Sequence, residues 1–103
     1  MKVLFHPEAR DDLLQAAQWY EARRSGLGQA LVAAVERAIA TIREAPERWP
    51  AYPAGAPSRR FILRRFPLAV HYVIFDSALF IAAVAHLKRR PDYWSKRLPA
   101  DHD

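Results

Sequence analysis

The spacing of apolar residues predicts one short strand followed by two helices in the first half of the chain. Residues 2–5 form a β-branched and aromatic run that stops before Pro7. Proline suits the first turn of a helix, and the carboxylates after it match the positive end of the helix dipole. Apolar residues then recur at helical spacing up to Gly26. A second helix is predicted between Gly26 and Pro46, and the short connection makes the two an antiparallel hairpin.

The second half of the chain has the apolar pattern of a sheet. Residues 46–57 contain prolines and a glycine and are predicted to be a stiff loop rather than a helix or central strand. Three strands are then predicted at residues 59–65, 68–75 and 78–86, with a tight turn at Asp76-Ser77. The order β-α-α-β-β-β predicts an α+β fold, in which the N-terminal helical hairpin packs on one face of a twisted antiparallel sheet.

The length of 103 residues allows one hydrophobic core and therefore one domain. We assign residues 1–97 to that domain and expect residues 98–103 to be a frayed tail. No apolar run has the ~20 residues of a membrane span, and the N-terminal residues lack the features of a signal peptide. The protein is therefore expected in the cytoplasm.

Composition excludes several kinds of chemistry. The chain contains no cysteine, which excludes disulfides, thiolate zinc sites and a cysteine nucleophile. Its four histidines show no pair at the i, i+4 spacing of a helical zinc site. We therefore predict neither a metal site nor a cofactor.

The formal net charge of +5 is unevenly distributed along the chain. Residues 1–52 carry as many carboxylates as cations, so the whole excess lies in residues 53–103. The cations of this half form clusters at residues 59–65, 88–90 and 96–97. Such a basic surface predicts an acidic partner, either a nucleic acid or a protein.

Two of these clusters contain candidate functional residues. Strand alternation puts Arg60 and Arg64 on the sheet face away from the helices, where they are either functional or simply a solvated strand face. His86 ends the last predicted strand, and Arg89 and Tyr93 follow it. A histidine, a tyrosine and guanidinium groups on one surface are the parts needed to cleave RNA, and the same parts also serve for phosphate binding. Their spacing leaves both alternatives open.

Five other side chains have structural interpretations. His71 is predicted to be a satisfied histidine at the edge of the core, and His6 a helix cap or staple. Trp49 and Tyr52 are expected to lie across the core edge, with contact to a partner as the alternative. Trp19 lies off the main apolar stripe of the first helix, so it is either a second packing contact or, if exposed, a partner site.

Several short segments carry, in their order and spacing, a family resemblance. They are Trp19-Tyr20-Glu21, Gly26-Leu27-Gly28, Arg64-Arg65-Phe66-Pro67, Ala85-His86, Arg89-Arg90-Pro91 and Tyr93-Trp94. Together they resemble the RelE/ParE superfamily of toxins from bacterial type II toxin–antitoxin modules, often called plasmid stabilisation proteins. The resemblance covers residues 2–97 and implies a β-α-α-β-β-β fold. It also implies a toxin that arrests growth unless a cognate antitoxin covers its groove.

The RelE-like branch of this superfamily cuts mRNA in the ribosome, using lysines and arginines on the sheet and a tyrosine near the C terminus. The residues of this chain near such positions are Arg60, Arg64, His86, Arg89 and Tyr93. The lysines that RelE-like enzymes place before the second and third strands have no counterpart in residues 46–58, which argues against this activity. Other members use a glutamate and a histidine, for which Glu47 and His86 are the candidates.

The ParE-like branch inhibits DNA gyrase, and its members resemble this chain more closely in the helical hairpin and in the stretch RRFPLAVHY. We therefore predict a ParE-like toxin whose partners are a cognate antitoxin and DNA gyrase, with the ribosome and mRNA as the alternative target. The predicted partner-binding residues are Arg64, Arg65, Lys88, Arg89, Arg90 and Trp94. A third hypothesis is a degenerate module that is not toxic and only binds its antitoxin.

Overall fold

The secondary structure elements follow the predicted order, and the α+β fold is confirmed. The computed structural model describes residues 1–99. Its elements are β1 (Lys2–Phe5), α1 (Pro7–Arg23), α2 (Leu27–Glu44), β2 (Arg59–Ile62), β3 (Leu68–Phe75) and β4 (Ala78–His86). Two short 3-10 turns follow, Pro91–Tyr93 and Ser95–Arg97. Neither helix in the described part of the chain is long and apolar enough to cross a membrane.

The sheet is mixed, whereas the sequence predicted a wholly antiparallel one. Its strand order is β1-β4-β3-β2. The pairs β2–β3 and β3–β4 are antiparallel, as their short connections require, but β1 runs parallel to β4. No tight turn joins β1 to β4, so their relative direction is set by packing rather than by a hairpin. β2 is also shorter than predicted, because it ends at Ile62 and residues 63–67 bend toward β3.

Local chemistry explains how α1 begins and how the last hairpin turns. His6 precedes α1, and its Nδ1 accepts the backbone N–H of Glu8 at 3.1 Å, so the predicted capping role is confirmed. Asp76 and Ser77 have φ values of 54° and 61°. Two consecutive left-handed residues are the mark of the two-residue hairpin turn predicted between β3 and β4.

The corner between α1 and α2 depends on one carboxylate and two glycines. Gly26 has φ +89°, which L side chains rarely adopt, and a Cβ at Gly28 would lie 2.5 Å from the carbonyl oxygen of Ala17. The Glu21 carboxylate accepts the backbone N–H groups of Gly26 and Gly28, each at 2.9 Å. These bonds, first to Gly26 and then to Gly28, lower the pKa of Glu21. Glu21, Gly26 and Gly28, which belong to the segments that carry the family resemblance, therefore have a structural role at this corner.

The two faces of the sheet carry two separate apolar clusters. The larger one lies between the sheet and the helical hairpin, and its fully buried members include Leu31, Val35, Ile42, Val70, Tyr72, Leu79 and Ile81. The smaller one lies on the opposite face around Trp94 and the alanines of β4, with Tyr52 and Leu98 packed against it. The sequence assigned Leu98 to the tail of residues 98–103. Residues 100–103 of that predicted tail lie outside the described residues.

Candidate functional site

β4 extends beyond β1 at one edge of the sheet. β1 pairs with β4 only from Ala78 to Ile81, while β4 continues to His86. The β3–β4 register also shifts, because His71 pairs with Ala83 and Tyr72 with Ile81. The residue left over, Ala82, is therefore a β-bulge. Backbone polar groups at such an edge need partners from outside the sheet.

Asp12 and Arg97 supply these partners. The Asp12 carboxylate accepts the backbone N–H of Val84 at 3.2 Å, and Arg97 Nη1 donates to the carbonyl oxygen of Ala82 at 3.0 Å. The two side chains also bond each other, with Arg97 Nη1 at 2.7 Å from Asp12 Oδ2. Both residues are buried, at 8% and 9% exposure. Burial lowers the pKa of Arg97, but the hydrogen bond and charge of Asp12 outweigh it and raise that pKa above its ordinary value.

Tyr93 belongs to the same buried network. Its hydroxyl donates to Asp12 Oδ1 at 2.8 Å. Its ring lies beneath the guanidinium groups of Arg89 and Arg97, which are 3.6 Å and 4.8 Å from the ring centroid. Glu8 completes the set, with Oε1 3.2 Å from Arg97 Nε. A phenol that already donates to a buried carboxylate is poorly placed to donate a proton to a substrate.

Sequence reasoning missed this network, although one signal for it was present. Asp12 was interpreted only as one of the carboxylates near the start of α1. It lies three residues after Ala9 and four before Ala16, and therefore sits on the buried stripe of the helix. A charged residue at such a position requires a buried partner. The partner, Arg97, lies 85 residues away in sequence, too far for any local pattern to reveal.

An aromatic stack covers the face of the sheet opposite the helices. Trp94 is only 1% exposed, and its ring centroid lies 3.6 Å from that of His71 at an interplanar angle of 25°. Tyr52 stacks on Trp94 at 6.2 Å, and the Arg60 guanidinium lies 3.8 Å above the Tyr52 ring. The predicted partner-binding role of Trp94 is therefore corrected, since its side chain is part of the core.

His71 differs from the predicted satisfied histidine in one respect. It is buried as expected, at 1% exposure, but its Nδ1 atom has no hydrogen-bond partner within residues 1–99. Burial, and then the charge of Arg60, lower the pKa of His71 to about 3. The ring is therefore neutral at physiological pH and acts as a packing element. Trp49 packs against the larger core cluster and Tyr52 against the smaller one, so both core-edge predictions are confirmed.

A groove with a volume of about 560 Å³ runs between α1 and the end of β4. Its floor is largely apolar and includes Ala16, Trp19, Tyr20, Leu68, Val84 and Ala85. His86, Arg89 and Tyr93 line it as well, so the structure brings three of the predicted site residues together. Trp19 is 53% exposed and lies under the guanidinium of Arg23, 3.4 Å from the ring centroid. Its exposure favours the partner-site interpretation.

Six exposed cations lie on segments that meet at the end of the sheet near this groove, and we call them the basic end. They are Arg23, Arg64, Arg65, Lys88, Arg89 and Arg90. Arg89 lines the groove itself, whereas Arg64 and Arg65 line a second hollow beside α2. A backbone bond from the Leu87 N–H to the Pro67 carbonyl oxygen, at 3.0 Å, joins the turn after β2 to the turn after β4. The Phe66 ring contacts Tyr20 of α1 at 5.0 Å, which brings the end of that helix to the same place. Both ion pairs formed within residues 1–99 belong to Arg97, so none neutralises the basic end.

The remaining ribonuclease candidates lie elsewhere. Glu47 follows Pro46, whose carbonyl oxygen accepts the Tyr72 hydroxyl at 2.7 Å. Glu47 is therefore near the Tyr72 hydroxyl, whereas His86 pairs with Leu68. Tyr72 and Leu68 are four residues apart along β3, which is about 13 Å. Arg60 stacks on Tyr52 on the opposite face of the sheet from the helices. The structure therefore does not assemble Glu47, Arg60 and His86 into one acid–base site.

Taken together, the fold and the groove define a small α+β domain in which a helical hairpin covers a four-stranded mixed sheet. A family model described as the ParE toxin of the type II toxin–antitoxin system parDE matches residues 3–91, and the chain belongs to this family. A solved structure of a chromosomal ParDE toxin–antitoxin system from P. aeruginosa is similar, with a TM-score of 0.72 and 15% identity. The match covers 84% of this chain and 95% of that one, and it shows a common fold. No curated protein sequence matches the chain.

Proposed function

We propose that this protein is a growth-arresting toxin that acts in the cytoplasm on DNA gyrase and is neutralised by a cognate antitoxin. The observation that carries the proposal is the ParE family match over residues 3–91. The resemblance of the helical hairpin and of the RRFPLAVHY stretch to ParE-like toxins points to the same target. A role in plasmid stabilisation follows if the gene pair is carried on a plasmid.

The arrangement of side chains favours gyrase over mRNA cleavage. The tyrosine that would act as the acid, Tyr93, is bonded to Asp12. The alternative pair, Glu47 and His86, is separated by about half the length of β3, roughly 13 Å. Residues 46–58 also lack the lysines of RelE-like enzymes. General acid–base catalysis requires an available acid and base within hydrogen-bond reach of the substrate. His86 and Tyr93 both line the groove, but the Tyr93 hydroxyl is already bonded to Asp12.

The groove beside α1 is the proposed antitoxin site. Its apolar floor would accept the apolar side chains of an antitoxin segment, while His86 and Arg89 at the rim would attract its carboxylates. The edge of β4 at Val84 is already bonded to Asp12, so the segment would bind along the groove floor without adding a strand there. The proposed antitoxin contacts on the rim and beside it are Arg64, Arg65, Lys88, Arg89 and Arg90.

The target is tested by two assays run on one purified preparation: DNA supercoiling by gyrase and cleavage of ribosome-bound mRNA. We expect supercoiling to be inhibited and the mRNA to remain intact. Cleaved mRNA with normal supercoiling would instead make the protein a ribonuclease. Inducible expression of the chain without an antitoxin should stop growth, and unaffected growth would favour the degenerate module.

The groove is tested with two exposed hydrophobic residues of α1. Trp19 lines the groove, whereas Leu14, which is 57% exposed, is not part of its lining. Trp19→Ser should weaken rescue of growth by an antitoxin encoded beside the toxin gene, because it removes a large apolar contact. Leu14→Ser is the matched control and should leave rescue unchanged. If the antitoxin rescued growth equally well with both variants, it would not bind at the groove.

A further inference from the structure

We propose that the basic end binds the phosphate backbone of duplex DNA. The contact needs neither gyrase nor antitoxin and therefore goes beyond the proposed function. Only the choice of DNA over RNA rests on that function, because gyrase presents duplex DNA to any protein bound to it. The chemistry recognised is a regular array of phosphodiesters, without reference to base sequence.

The basic end is a single surface built from three separate segments. The turn at residues 63–67 and the turn at residues 86–90 are joined by the Leu87 to Pro67 backbone bond. The last turns of α1 reach the same place through the Tyr20 and Phe66 rings. Segments that are distant in sequence and carry exposed cations thus meet at one end of the sheet, and a surface with many cations attracts phosphates.

The two turns of this surface carry charge of one sign. Neither the 63–67 turn nor the 86–90 turn contains a carboxylate. Glu21, the acidic residue near the end of α1, already accepts the N–H groups of Gly26 and Gly28. DNA interfaces are more polar and much more positively charged than protein–protein interfaces. The six exposed cations of the basic end give it this character.

Three of the guanidinium groups are held over aromatic rings. Arg23 lies 3.4 Å from the Trp19 ring centroid, Arg65 lies 5.5 Å from that of Phe66, and Arg89 lies 3.6 Å from that of Tyr93. Stacking orders the long side chain while the N–H edges of the planar group can still donate to phosphate oxygens. Each stacked arginine consequently loses less conformational freedom on binding than an unrestrained one.

Fluorescence anisotropy with a short labelled DNA duplex of mixed sequence, measured over a series of salt concentrations, tests the proposal. The first variant combines Arg64→Ser, Arg65→Ser and Arg89→Ser. The matched control combines Arg10→Ser, Arg43→Ser and Arg48→Ser, three exposed arginines near the start of α1 and the end of α2. Both variants have the same net charge, and their melting temperatures verify folding.

We expect the wild-type chain to bind the duplex with an affinity that falls steeply with salt. The basic-end variant should bind roughly tenfold more weakly or worse, with a salt slope shallower by about three, since each phosphate contact contributes about one unit. The control variant should match the wild type. If both variants lost the same amount of DNA affinity, net charge alone would explain the binding, and the proposal would be overturned.

A supercoiling assay on the same preparations separates this inference from the proposed function. Inhibition of gyrase by a wild-type chain that binds no free duplex would overturn the DNA contact and leave the gyrase proposal standing. Binding of the duplex through the basic end without any effect on gyrase would have the opposite meaning. The DNA contact would then be supported and the gyrase proposal contradicted.

Discussion

Arg89 and Arg97 lie eight positions apart in one short C-terminal segment, yet they occupy opposite environments. Arg97 is 9% exposed, bonded to Asp12 and to the backbone of the bulged strand. Arg89 is exposed, forms no ion pair within residues 1–99, and stacks on the outer face of Tyr93. Arg97 thus stabilises the fold, whereas the exposed Arg89 is available to bind a partner.

Exposure and acidic neighbours distinguish the arginines that stabilise the fold from those available for binding. A buried arginine that satisfies a carboxylate and a strand edge cannot leave them without a large loss of stability. An exposed arginine with no acidic neighbour contributes little to stability and is available for binding. The predictions below separate the two environments, beginning with the largest expected effect.

Asp12→Ala should have the largest effect. It leaves the Arg97 guanidinium buried without its counter-charge and the Val84 N–H without an acceptor. The expected loss of unfolding free energy is about 3–5 kcal/mol, measured by urea denaturation. Wild-type stability in this variant would mean that the network does not hold the C-terminal segment in place.

Tyr93→Phe separates a structural tyrosine from a catalytic one. The variant loses the bond from the hydroxyl to the Asp12 carboxylate, and a hydrogen bond to a charged group is worth about 1.5–3 kcal/mol. We expect that loss in denaturation, with activity retained at temperatures where the variant is folded. If the variant were inactive but as stable as the wild type, Tyr93 would instead be a candidate for the catalytic acid.

His71 should make stability depend on pH. Its pKa of about 3 in the folded chain lies below the ordinary value of 6.5, so between these values the unfolded state binds more protons. Stability therefore falls as the pH drops from 6.5 toward 3, by up to about 1.4 kcal/mol per pH unit. The free energy of unfolding is measured by urea denaturation at pH 6.5 and at pH 5.5. Its decrease between these two pH values should be smaller by about 1 kcal/mol in His71→Gln than in the wild type. Carboxylates contribute alike to both proteins, so equal decreases would mean that His71 is protonated in the native state.

Arg89→Met should have the smallest effect on stability, about 0.5–1 kcal/mol, because the side chain is exposed, forms no ion pair within residues 1–99 and loses only its stacking on Tyr93. Arg97→Met is the matched substitution in the buried environment and should melt far lower, since it leaves Asp12 uncompensated. Thermal melting of the two variants side by side provides the comparison. Similar melting temperatures would contradict the division between the two regions.

The fold was predictable from sequence wherever the determining contacts are local. The helical hairpin follows from apolar spacing and from glycine at the corner, and the Asp76-Ser77 turn from its short span between two strands. The parallel pairing of β1 with β4 was not predictable in this way. It joins Lys2 to Ala78 across nearly the whole domain, and no turn between them specifies a direction.

The candidate site was predictable in its exposed part and not in its buried part. Clustered cations such as Arg64 and Arg89 can be read directly from the sequence. The burial of Trp94 depends on its stacking with His71, a residue of a different strand, and the pairing of Asp12 with Arg97 depends on the bulge in β4. Such contacts follow from tertiary packing, which residue spacing alone does not encode.

Gyrase supercoiling, titrated with the wild-type chain and the two triple variants, tests the functional role of the basic end most directly. We expect inhibition by the wild type and by the variant altered at Arg10, Arg43 and Arg48. The variant altered at Arg64, Arg65 and Arg89 should inhibit much more weakly at an unchanged melting temperature. Equal inhibition by all three proteins would contradict the role of the basic end, and no inhibition by the folded wild-type chain would contradict gyrase as the target.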